Sequence, residues 1–308
     1  NKISKSDVGL AGGKGASLGE MTQAGIPVPP GFVILSHAFE RFIEETQLVA
    51  EIDSILHSVD HTDVAKVENA SDKIRALITS KKMPADIGEE IMNFHKKLGA
   101  KFVAVRSSAT AEDSASAAWA GQLETYLNTV EKDVLEYVKK CWSSLFTPRA
   151  IFYRFEKNLH NQKISVAVVV QKMIESEESG ISFSVHPVTQ DYNQLIIEAG
   201  FGLGEAIVSG EVTPDSYVVE KDAMRILEVN VSEQEKGLYK KTGGGNEWRE
   251  LGEKGKTQVL SGEQIIELTK LIMHIEKHYG FHVDVEWARE KNKFYITQSR
   301  PITTLAKK

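Results

Sequence analysis

One cysteine in 308 residues, Cys141, leaves no partner for an intramolecular disulfide and no cluster to hold a structural zinc. Positive charge is not in excess either: 37 Lys+Arg stand against 43 Asp+Glu, a formal net charge of −6. A protein that grips nucleic acid through a basic face is therefore not expected. No apolar run approaches the roughly 18 residues that span a bilayer. Residues 1–7 contain no apolar stretch of the kind a secretory signal needs. The sequence reads as a cytoplasmic protein with neither membrane nor nucleic acid as partner. What it does contain, 41% hydrophobic and 26% charged residues, is the make-up of a globular chain. At about 150 residues per domain, its length suits two domains or one large unit with subdomains.

Apolar periodicity predicts a mixed order of helices and strands. Leu18 and Met21 have helical spacing, the proline-rich 26–31 excludes helix, and a short strand follows at 32–35. Ser36 is a candidate N-cap for a helix carrying Phe39, Phe42 and Ile43, and 48–98 reads as three further helical stretches. Residues 102–105 and 166–170 are continuous apolar runs that suit strands buried on both faces. The small-residue stretch 107–118 between them reads as too polar for a core element. Helices are expected at 131–146, 148–156 and 261–279, the last capped by Ser261. Strands are expected at 180–185, 194–199, 216–220, 226–231, 283–288 and 294–299, and 242–246 reads as an exposed loop. Without regular βαβ repetition, the order favours an α+β fold.

Five constellations could carry chemistry. Gly12-Gly13-Lys14-Gly15 would let backbone N–H groups and an ammonium approach an anion, though its spacing is not that of a P-loop. Taken alone, a flexible turn with an exposed lysine fits it better than a phosphate site. Arg106, at the end of the 102–105 strand, could meet phosphate oxygens or pair with Glu112 or Asp113. The glycine string 198–205 lacks dinucleotide spacing and reads as a tight turn. His274, His278 and His282 are spaced as on one helix face, but Gly280 takes His282 off it, and solvated or capping roles fit better than a metal. Residues 284–301 form two β-like runs around a polar turn. A turn centred on Asn292 places Glu286 opposite Gln298 and Asp284 opposite Arg300. One face would then carry oxygen donors suited to Mg²⁺ and a guanidinium suited to phosphate, or else a surface salt-bridge ladder. That pairing predicts an odd number of loop residues, with Phe294 and Ile296 on the Gln298 face and Val285, Trp287, Tyr295 and Thr297 on the other.

Taken together, the motifs around Lys14, Arg106, Gly121-Gln-Leu-Glu-Thr125-Tyr, Gly202 to Asp215, Asp284-Val-Glu286-Trp and Gln298-Ser-Arg300-Pro resemble a known family. They are similar to the ATP-binding domain of phosphoenolpyruvate synthase, shared with pyruvate phosphate dikinase and rifampin phosphotransferase, from about residue 8 to 305. The resemblance implies an ATP-grasp-like domain of three subdomains, 1–110, 111–190 and 191–308, with ATP and Mg²⁺ as cofactors. It implies that Lys14, Arg106 and Arg300 act on the phosphates as the catalytic groups and that Gly121 and Thr125 line the loop at the phosphate tail. Gln171, Met173 and Ile174 would line the adenine side, and Glu286 and Gln298 would hold Mg²⁺ and nucleotide.

The resemblance further implies an ATP-dependent phosphotransferase whose phosphoryl group passes to a histidine on a separate domain and on to pyruvate. That histidine follows a Thr-x-x-Gly-Gly stretch. Thr242-Gly243-Gly244-Gly245 is the nearest look-alike here, and no histidine follows it before His274. The chain is therefore expected to be catalytically incomplete alone, with a phosphohistidine domain and a substrate-binding domain as partners. An antibiotic-modifying enzyme like rifampin phosphotransferase and a stand-alone nucleotide-binding module without turnover are the alternative readings.

Overall fold

Two compact units divide the chain, residues 1–19 with 30–173 and residues 20–29 with 174–308. The computed structural model describes residues 2–110, 123–157, 164–303 and 305.

The first unit contains most of α1 (Val8–Gln23), then β1 (Gly31–Ile34), α2 (Ser36–Glu45), α3 (Val49–Ser58), α4 (Val64–Ser80) and α5 (Ala85–Leu98). It continues with β2 (Val103–Ala109), β3 (Thr125–Thr129), α6 (Val134–Ser143), α7 (Pro148–Glu156) and β4 (Val166–Lys172). Its strands form an antiparallel sheet in the order β1-β4-β2-β3. Because strand side chains alternate, the sheet has two distinct faces. Val103, Val105, Val168 and Val170 pack with Phe42, Ile74, Trp142 and Leu145 in one core. The rings of Phe42 and Trp142 lie 5.0 Å apart, and truncating either to alanine should cost about 3–5 kcal/mol. The other face presents Val33, Val169, Arg106, Ser108 and Gln171, and the glycine-rich part of α1 lies over it. A Cβ on Gly15 would stand 3.3 Å from Val33 Cγ1.

Two expectations fail locally in this unit. Leu35 occupies the cap position of α2, and Ser36 is its first residue, with its hydroxyl donating to Gly9 C=O at 3.2 Å. The stretch expected to lie outside the core begins inside it: Ser107, Ser108 and Ala109 complete β2 and are fully buried. Burial is tolerated because both hydroxyls are satisfied, Ser107 Oγ donating to Glu124 C=O at 2.7 Å and Ser108 Oγ to Ala11 C=O at 2.9 Å. By contrast, Thr147 caps α7 as its hydroxyl accepts from Ala150 N–H at 3.2 Å, with Pro148 in the first turn as expected.

The second unit contains β5 (Glu178–Phe183), β6 (Gln194–Phe201), α8 (Glu205–Val208), β7 (Asp215–Glu220), β8 (Arg225–Asn230), β9 (Lys236–Lys240), β10 (Asn246–Glu250), α9 (Gly262–Tyr279), β11 (Val283–Glu290) and β12 (Lys293–Pro301). Six strands pair antiparallel in the order β12-β11-β5-β6-β7-β8. Helix α9 starts at a capping box, Ser261 with Gln264, and ends at Gly280 with φ 74°. Its buried stripe of Ile265, Leu268, Ile272 and Ile275 packs on β8 and β11. Strands β9 and β10 form a separate hairpin, so the expected loop at 242–246 is its turn and the first residue of β10. These strands are mostly polar and show no core period. Their Trp248 is exposed and holds Lys236 Nζ 4.3 Å from its ring centre. The chain thus mixes helices with antiparallel sheets, as the element order implied.

Candidate functional site

In the first unit, the Gly-Gly-Lys-Gly motif is part of a broken helix rather than a flexible turn. Gly12 interrupts α1 with φ 69° and ψ 172°. Only glycine fits there: a Cβ would lie 2.2 Å from Ser108 Oγ and 2.3 Å from Ser108 C=O. Lys14, between two buried glycines, is half-buried, and Gly12 and Gly15 on either side of it lie against Ser108 and Val33 of the sheet face that carries Arg106. Arg106 is 7% exposed and donates from its guanidinium to Gln171 Oε1 at 3.4 Å. Thr125 on β3 is the direct register partner of Arg106. The sheet therefore brings Arg106, Thr125 and Gln171 together.

Glu124 ties this edge down. Arg75 donates to its carboxylate at 2.6 Å and Tyr126 O–H at 2.5 Å, while Ser107 donates to its carbonyl from N–H at 3.1 Å and from Oγ at 2.7 Å. Burial and the carboxylate push the Tyr126 phenol above its ordinary value. Glu124 lies within the motif 121–126 but had no role assigned to it there, and Arg75, 49 residues away, did not stand out in the sequence. Met173 N–H donates to Phe102 C=O at 3.1 Å, continuing from β4, and Ile174 is buried in the second unit. Gly121, Glu112 and Asp113 lie outside the described residues.

In the second unit, β11 and β12 bring Glu286 opposite Gln298 and Asp284 opposite Arg300. Arg300 Nε donates to Asp284 Oδ2 at 2.7 Å, so part of this face is the ion pair that the alternative reading expected. The turn is not odd, however. Glu290 pairs with Lys293, leaving the two-residue turn Lys291-Asn292, with φ 49° and 61°. An irregularity between Glu286 and Trp287 leaves Thr297 as an extra residue, and this bulge restores the Glu286–Gln298 pairing. It also reverses part of the expected facing. Ile296 pairs with Trp287 and Phe294 with Arg289, so both sit on the core face rather than below Gln298. Trp287 and Phe294 meet edge to face at 5.5 Å.

Across β5, Ile181 joins Glu286 to Glu198 of β6, which places a further carboxylate on the same face. Burial, with the Asp284 charge added, pushes Glu198 above its ordinary value. Among the described residues no three His, Cys, Asp or Glu side chains are grouped to hold a metal ion. A cation here would take Glu286 and Gln298 as its protein oxygens, and its remaining positions suit phosphate and water.

Two of the three histidines are paired, while His274 is exposed as the solvated reading expected. His278 Nε2 lies 3.0 Å from Glu20 Oε1, and His282 Nδ1 contacts Glu276. Asp215, the last residue of the motif that begins at Gly202, is structural: fully buried, it accepts from Ser232 N–H, Val259 N–H and Tyr217 O–H. Gly202, in the middle of the glycine string 198–205, makes the turn out of β6 as expected. No helix of the described residues is long and apolar enough to cross a membrane.

Known proteins show what the chain as a whole is similar to. Residues 8–308 match the family described as pyruvate phosphate dikinase, AMP/ATP-binding domain. A probable phosphoenolpyruvate synthase of Methanocaldococcus jannaschii is 48% identical over 315 residues, covering 100% of this chain and 26% of that protein. Another from Archaeoglobus fulgidus is 50% identical, covering 99% of this chain and 41% of its own length. Rifampicin phosphotransferase of Bacillus subtilis is 38% identical over 99% of this chain and 36% of its own. The chain thus spans less than half the length of these relatives, and it belongs to the pyruvate phosphate dikinase AMP/ATP-binding domain family.

Proposed function

We propose that this chain is the Mg–ATP-binding part of a phosphoenolpyruvate-synthase-like phosphotransferase, with an ATP-grasp-like fold. Lys14, Arg106 and Arg300 bind the phosphates as its catalytic cations, with Gly121 and Thr125 at the phosphate tail. Gln171, Met173 and Ile174 line the adenine side. Glu286 and Gln298 take Mg²⁺, which when bound neutralises phosphate charge. The observation that carries this reading is the β11–β12 face, where a carboxylate and a carboxamide oxygen stand opposite each other beside a guanidinium. Hard oxygen donors suit Mg²⁺, and a fork of N–H donors suits phosphate.

The residues of this chain work by position and charge. Phosphoryl transfer asks little covalent chemistry of a protein, so fixed cations and aligned oxygens supply most of the effect. Asp284 holds Arg300 through Nε, which orients the rest of the guanidinium. The acceptor is a histidine on a separate domain, and pyruvate is the final acceptor. Relatives named for phosphoenolpyruvate synthase, at 48% and 50% identity, favour pyruvate over an antibiotic, whose named relative stands at 38%.

Thermal melts with ATP and Mg²⁺ test the binding. A ligand at a hundred times its Kd stabilises the native state by about 2.7 kcal/mol. Lys14→Ala and Arg300→Ala should each shrink the ATP-induced rise in Tm, whatever they do to the ligand-free protein. Parent-like rises in both variants would dismiss the phosphate assignment. The chain alone should form no phosphoenolpyruvate from pyruvate and ATP, and robust formation would contradict the need for a separate histidine domain.

A further inference from the structure

The break in α1 is filled by a side chain from another element. In an unbroken helix the N–H of Gly15 would point at the C=O of Ala11, four residues earlier. Here the Ser108 hydroxyl takes both groups, accepting from Gly15 N–H at 3.2 Å and donating to Ala11 C=O at 2.9 Å. A side chain inserted into the helix ladder is a recognised cause of a sharp kink. Gly12, whose missing Cβ makes room for Ser108, supplies the backbone conformation that the kink requires. Between the two groups held by this one oxygen lie only Gly12, Gly13 and Lys14. Ser108 is fully buried and sits two residues along β2 from Arg106, on the same face.

We propose that Ser108 is the positioning residue for Lys14: its hydroxyl holds the α1 break open and fixes the Lys14 segment on the Arg106 face of the sheet. The role is distinct from ligand contact, because the hydroxyl is committed to Ala11 and Gly15. It rests on the reading of Lys14 as an ATP-phosphate ligand. Without the hydroxyl, Gly15 N–H and Ala11 C=O are left to close the helix or to find other partners. Either outcome moves the residues between them.

A double-mutant cycle read by calorimetric titration of MgATP into the full chain tests this. Ser108→Ala should raise the Kd about tenfold in the parent, the scale of one to two lost hydrogen bonds. In a Lys14→Met background it should raise it less than about twofold, since the two residues act as one unit. Equal losses in both backgrounds, or none in either, would overturn the proposal, because a purely structural effect does not depend on Lys14. Amide exchange by NMR supplies a readout independent of ATP: Gly15 N–H should exchange at least about tenfold faster in Ser108→Ala. Unchanged exchange at Gly15 would equally overturn it. Should Ser108→Ala fail to fold, Ser108→Cys, which keeps the shape with a weaker donor, answers the same questions. If the parent binds no MgATP, the ATP reading fails by itself, and Gly15 exchange still decides whether Ser108 holds the segment.

Discussion

Glu286 and Gln298 face each other directly across β11 and β12, although the turn joining these strands has two residues and would by itself oppose Glu286 to Thr297. Thr297 is accommodated as a bulge, and its hydroxyl donates to Glu286 C=O at 3.2 Å. A single extra residue thus decides which side chain meets the carboxylate. The same bulge lets Ile296 and Phe294 enter the core beside Trp287 while Gln298 stays with Glu286.

This pairing predicts how ATP affinity depends on Mg²⁺. The parent should bind ATP more tightly with Mg²⁺ than with EDTA, and Glu286→Ala should erase most of that difference, by about tenfold or more. Titration calorimetry under both conditions is the check. An undiminished Mg²⁺ effect in the variant would remove Glu286 from the metal site.

Gly12→Ala should destabilise the protein by about 3 kcal/mol or more, since strain from positive φ and overpacking add. The Cβ would meet the backbone of Ser108, which belongs to a buried strand and cannot swing away. Urea denaturation measures the loss. A variant as stable as the parent would mean that α1 does not break at Gly12.

Glu198→Gln should raise Tm at neutral pH and have no such effect at about pH 4. In the unfolded chain this carboxyl titrates near 4.5, and in the folded protein burial and Asp284 raise it. Between those values the folded state keeps a proton that the unfolded state has released, so stability falls as pH rises through the window and stays reduced above it. The amide carries no charge and escapes that loss. Melts at the two pH values decide, and a Tm gain equal at both would assign the effect to packing.

Cys141 should be inert to thiol reagents in the native protein at about pH 8. It is fully buried, and desolvation pushes its thiol up to about 12. Stoichiometric labelling should appear only when denaturant unfolds the chain. Rapid native labelling would show that the packing between α6 and β2 opens.

Much of the element order could be read from the sequence because buried helices and strands impose periods of 3.6 and 2 on apolar residues. Residues 261–279 carry the helical period and 166–170 the continuous apolar run of a strand buried on both faces, and they match α9 and β4 closely. Strands β9 and β10 escaped because a two-stranded hairpin with exposed, charged positions carries no such period. Lys14 and Arg106 announced themselves as cations beside small residues. Ser108 and Glu124 did not, because a serine or a glutamate becomes a positioning group only through partners such as Ala11 and Arg75, brought up by the fold.

The sequence by itself determined the family, through the resemblance of its motifs, and the main helices and strands, whose apolar patterns follow from residue type and local spacing. Tertiary structure alone decided that Ser108 occupies the gap in α1 and that Thr297 is the residue left over in β12. Both outcomes turn on register. The location of a bulge, like the hydroxyl that fills a broken helix, is chosen by packing against Trp287 or by contact across 93 residues, and no local pattern encodes either.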